Sequence, residues 1–101
     1  MIVIDTPVRT RVRGKEIWTA HLVSDAFGVT GSRELLEAAK QLQLRREWLR
    51  DADTAFERFT LVGEERIALA RALRIPEVSA AVVLRICTDK FLRTLEQAVS
   101  A

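Results

Sequence analysis

The apolar and polar positions divide the chain into short extended runs alternating with longer amphipathic ones. Ile2-Val3-Ile4, a β-branched run closed by Asp5 and Pro7, predicts a first strand with both faces buried. From Val8 to Arg13 the sequence alternates, so an extended backbone sets Arg9, Arg11 and Arg13 on one face, and Gly14-Lys15 then turn the chain. Ile17 to Val23 predicts a second strand, with Trp18, Ala20 and Leu22 on one face and Thr19, His21 and Val23 on the other. Ser24 to Ser32 reads as a loop in which Thr30 and Ser32 can both cap the helix that follows.

That helix is announced by Leu35, Leu36, Ala39, Leu42 and Leu49 at helical spacing. The pattern breaks near Leu44, before a final turn carrying Trp48 and a stop at Asp51-Ala52-Asp53-Thr54. Phe56 to Leu61 predicts a third strand, and Gly63-Glu64-Glu65 opens a helix whose early acids complement its dipole and which Pro76 ends by Ile75. Val78 to Ile86 suits either a buried strand or a helix interior; strand is the expectation taken here, with Thr88 or Asp89 capping a last helix striped by Phe91, Leu92, Leu95, Ala98 and Val99. The sum is an α/β fold, a small mixed or parallel sheet of about four strands with about three packed helices, forming a single domain over residues 1–101.

Composition narrows the function classes. At 101 residues, with 49% hydrophobic and 30% charged, the chain fits one ordinary globular core. Sixteen basic residues, most of them arginine, face fourteen acids, and a net charge of +2 does not by itself specify a polyanion partner. The single cysteine, Cys87, rules out an internal disulfide and suits a reducing compartment, so a cytoplasmic location is expected. The first residues lack a basic leader and a long apolar run, so no membrane association is expected.

Candidate chemistry gathers at Trp18 to Asp25, which holds the one histidine. His21 can act as acid or base if Asp5 or Asp25 orients it, giving His21, Asp25 and Asp5 as the catalytic set of a small hydrolase. Ser24 lacks the glycine-flanked elbow of a serine nucleophile. One His, one Cys and scattered acids make no metal-ligand set, and no cofactor fingerprint occurs, so neither metal nor cofactor is expected. Gly28, Thr30, Gly31, Ser32 and Arg33 could cradle an anion at a helix N-terminus. Arg9, Arg11 and Arg13, followed by Lys15, form a positive ribbon suited to phosphates.

The chain resembles the uncharacterised bacterial and phage family named domain of unknown function 4031. The likeness runs from Ile2-Val3-Ile4-Asp5 through Trp18 and His21 to Asp25, along the Leu-rich helix to Trp48, then through Arg58-Phe59-Thr60-Leu61 to Arg66 and Ala70. The resemblance implies a His-Tyr-Asp motif where this sequence has Arg58-Phe59-Thr60, and it supplies no reaction, substrate or cofactor. With that motif replaced, the leading expectation is non-catalytic binding of a phosphate-bearing ligand, a nucleotide or nucleic acid, through the ribbon and the Gly28–Arg33 loop. The alternatives are the His21 hydrolase and a homo-oligomeric module using the apolar stripe of Ile86 to Val99.

Overall fold

The computed structural model describes residues 1–100. It contains three α-helices and a mixed five-stranded sheet: β1 (Ile2–Asp5), β2 (Val8–Val12), β3 (Lys15–Ser24), α1 (Gly28–Gln41), β4 (Phe59–Val62), α2 (Glu64–Ala72), β5 (Glu77–Val78) and α3 (Ala80–Ser100), with a 3₁₀ turn at Arg46–Trp48. This is the small α/β fold the patterning predicts, with one strand more than the four foreseen.

β3 is the axis of the sheet. Along one edge it pairs antiparallel first with β2 and then with β1, and along the other with β4. β5 joins β1 in parallel and completes the order β2-β3-β1-β5. Between the pairs Ile4↔Leu22 and Val8↔Thr19, β1 and β2 spend one residue more than β3 does, which is a β-bulge. Pro7, which has no N–H to give to a ladder, sits within it.

One face of the sheet carries the core. Ile4, Ala20, Leu22, Phe59 and Leu61 meet Leu35, Ala38, Ala39 and Leu42 of the α1 segment and Ile67 and Ala70 of α2. Full burial of a side chain such as Leu22, Leu35 or Phe59 contributes roughly 1.5–3 kcal/mol each. Val3 and Val23, paired on the opposite face, are also buried.

Three expectations are corrected. α1 begins at Gly28, so Thr30 and Ser32 lie inside its first turns instead of capping it. The chain reverses earlier than composition suggests: the Ser24 hydroxyl accepts the Ala26 N–H at 3.1 Å, and Gly28, at φ 66°, takes the left-handed step into the helix. α1 also closes at Gln41, with Leu44 and Trp48 beyond it as the broken pattern foretold.

The second correction is that Val78 to Ile86 is not a strand. Only Glu77–Val78 pair with β1, and Ser79 accepts the Val82 N–H through both its hydroxyl and its carbonyl, starting a helix of 21 residues. Val83, Ile86, Cys87 and Lys90 form its inward stripe, at i, i+3, i+4 and i+7, and Thr88 and Asp89 are mid-helix residues with no capping role. Third, the strand expected at Phe56–Leu61 runs from Phe59 to Val62, because Asp51 to Phe56 fold into turns. Among the described residues no helix is long and apolar enough to cross a membrane.

Candidate functional site

Where β2 passes β3 beyond the end of β4, the two strands form a freestanding arm. Val12 and Lys15 are partners across a two-residue turn whose residues, Arg13 at φ 51° and Gly14 at φ 79°, are both left-handed, the type I′ geometry that matches strand twist. Every residue of β2 is exposed. Arg9 faces Trp18 and Arg11 faces Glu16, so these two arginines share a face, whereas Arg13 leaves it to occupy the turn.

Arg9 lies 5.4 Å from the Trp18 ring centre and 3.3 Å from the Glu16 carboxylate, which pre-orients it along the ribbon. Arg11, Arg13 and Lys15 enter no ion pair among the described residues. The arm from Val8 to Trp18 carries four of the sixteen basic residues and one of the fourteen acids, leaving twelve against thirteen in the rest of the chain.

The base of the arm adjoins a second cationic feature. The Gly63 N–H donates to the Trp18 carbonyl at 2.8 Å, which starts α2 beside β3. Arg66, one turn into α2, and Arg45 flank the half-exposed Trp48 indole at 5.1 and 5.7 Å.

Of the three candidate catalytic residues, two meet. Asp5 Oδ1 accepts the His21 backbone N–H at 2.7 Å and Oδ2 contacts His21 Nδ1 at 2.8 Å. At the bulge this carboxylate stands in for a ladder acceptor, which gives Asp5 a structural task whatever else it does. Asp25 is elsewhere: its carboxylate and N–H bind the Met1 amino group and carbonyl, at the far end of β1. Together with Glu34 it raises the pKa of that amine through hydrogen bonds. Thr60 stands opposite His21 across β3 and β4. Phe59 is wholly buried in the core, and the Arg58 guanidinium is held by Asp51 at 2.7 Å.

The candidate anion loop is helix. Gly31 is buried against the Ala26 carbonyl and Thr30 faces solvent. Gly28, Ser32 and Arg33 line an open groove of about 1260 Å³ between α1, the Asp51–Glu57 turns and α3. Ser32 is already committed within it, because its hydroxyl lies 2.7 and 3.0 Å from the two oxygens of the buried Glu57 carboxylate, which also accepts the Asp53 N–H at 3.2 Å. The protein's own carboxylate thus already occupies the Ser32 hydroxyl. Sequence reasoning missed Glu57 and the buried Lys90 of the same groove, since an acid ahead of a strand and a lysine in a helix carry no distinguishing signal.

The ribbon and the loop do not form one site. Glu16, opposite Arg11, and Ser24, next to the loop, are eight residues apart along β3, or roughly 27 Å of strand. No group of three or more metal-ligating residues gathers among those described. No protein-family model, curated protein or solved structure matches the chain.

Proposed function

We propose that the chain is a non-catalytic nucleic-acid-binding domain that engages backbone phosphates with the β2–β3 arm. The observation that carries this reading is the concentration of charge: four exposed cations on an eleven-residue ribbon of a chain that is otherwise slightly acidic. Arg9 and Arg11, two residues apart on one face, are spaced by roughly 7 Å along a convex element. A mononucleotide needs donors converging in a concave pocket. A dispersed row on a projecting ribbon suits an extended polyanion, and a two-stranded ribbon fits a duplex major groove about 12 Å wide. Half-exposed Trp48, with the Arg45 and Arg66 guanidiniums over its ring, adds two further cations that phosphates can meet. The buried, unpaired thiol of Cys87 suits a reducing, cytoplasmic setting for such a domain. The likeness to an uncharacterised family brings no activity into the proposal.

Fluorescence anisotropy with short labelled duplexes across a salt series tests it. Four phosphate contacts give a slope of log K against log salt near −3.6, at about 0.9 per contact, and replacing Arg9, Arg11 and Arg13 by Ala lowers it to about −1. Absence of binding at low ionic strength, or a slope indifferent to the triple replacement, overturns the reading.

A further inference from the structure

The second half of α3 touches its own chain chiefly near its start, where the Phe91 ring lies 5.9 Å from that of Phe56 and the Arg93 guanidinium lies 4.9 Å over the Phe27 ring. Every residue from Phe91 to Ser100 is exposed, and the inward stripe ends at Lys90. At about 100° per residue, Leu84, Thr88, Phe91, Leu92, Leu95 and Val99 fall within an arc of about 100° beside the inward stripe, with Phe91 at the edge that meets Phe56 and the rest turned outward. Leu84 and Val99 are 66% and 87% exposed, and Leu92 is half exposed. A helix end of this kind is marginal in water without tertiary or quaternary packing.

Charge identifies what covers it. Arg85, Asp89, Arg93 and Glu96 occupy the next arc, about 80° wide, on one flank of the stripe. All four are exposed and none belongs to an ion pair among the described residues. Along the helix their signs run plus, minus, plus, minus, and that series is its own complement when reversed. The other flank, with Cys87 and Lys90, is turned into the domain.

We infer that α3 is a homodimerisation helix that packs antiparallel against α3 of a second copy, about a two-fold axis near Phe91. A two-fold axis across an antiparallel pair brings each flank against the same flank of the partner. The charged flanks therefore meet, Arg85 opposite Glu96 and Asp89 opposite Arg93, each contact occurring twice. Within the stripe, Leu84 meets Val99, and Leu95 meets Thr88. A parallel pairing keeps the two charged flanks apart, so the alternating series has nothing to complement.

Sedimentation equilibrium on the full chain at low and high salt, with helix content followed by circular dichroism, tests the arrangement. The expected result is a dimer that Leu92→Lys with Leu95→Lys converts to monomer. Glu96→Arg alone sets two arginine pairs face to face and weakens the dimer by about tenfold. Adding Arg85→Glu restores it, because the exchange of signs preserves the complementarity. All four positions are exposed, so the variants keep the fold. A monomer at high protein concentration overturns the inference, as does a dimer unmoved by Glu96→Arg or not rescued by the double exchange.

Discussion

Gly31→Ala is expected to destabilise the protein, although a glycine in the first turns of a helix is ordinarily a place where alanine helps. Exchanging helical Gly for Ala contributes about 1 kcal/mol of stability through backbone entropy. At Gly31 a methyl group meets the Ala26 carbonyl oxygen at 2.2 Å and its carbon at 3.0 Å, with the Ser24 hydroxyl 3.5 Å away. The obstruction is backbone, anchored by the Ser24 hydroxyl on the Ala26 N–H, so no side-chain rotation relieves it. Separating the atoms moves α1 against a sheet face where Leu35 and Leu22 are fully buried. Overpacking of this kind costs about 3 kcal/mol at the upper end of its usual range, leaving a net loss of about 2 kcal/mol after the helical gain. For a domain of this size that lowers Tm by roughly 8–16 °C. Urea titration followed by circular dichroism measures it, with a lower midpoint and an unchanged slope. Gly28→Ala is the control: its methyl has open space and the residue has φ 66°, so the cost is confined to about 1–2 kcal/mol of left-handed strain. A Gly31→Ala protein as stable as the parent refutes the reasoning, because it requires α1 to stand off from Ala26.

Asp5→Ala leaves the His21 N–H without its acceptor and is expected to cost about 1–3 kcal/mol, with faster hydrogen exchange at that amide. Asp5→Asn keeps an oxygen there and retains most of the protection, and equal exchange in both variants dismisses the bulge-capping role. Burial raises the Cys87 thiol above its ordinary pKa, against smaller opposing effects of Lys90 and Arg58. The folded state therefore holds this proton longer than the unfolded state, so the contribution is intact below the ordinary thiol pKa and is lost as pH rises through the folded value. Denaturant midpoints of the parent are expected to fall more steeply above about pH 9 than those of Cys87→Ala, and parallel profiles would argue against a buried thiol.

Much of the local structure is legible because it rests on short-range pattern. The β-branched run at Ile2, the alternation from Ile17 to Val23 and the leucine periodicity from Leu35 to Leu42 each fit one backbone period, and each forms the predicted element. The break near Leu44 is equally local. Ala80 to Leu84 is not legible in this way, since five apolar residues satisfy either period and the deciding stripe passes through Lys90, a charged residue whose stem is buried.

The sequence by itself determined the α/β class, most strand and helix positions and the presence of a cationic ribbon, because propensity and periodicity act over a few residues. Tertiary structure decided which candidate residues meet. It paired Asp5 with His21 through a one-residue bulge, drew Asp25 to the other end of β1, gave Ser32 to Glu57, and set the arginine arm a strand's length from the loop once grouped with it. It also left one side of α3 exposed after the sheet had been covered. Such distances follow from register and packing between segments far apart in the chain, which no local pattern encodes.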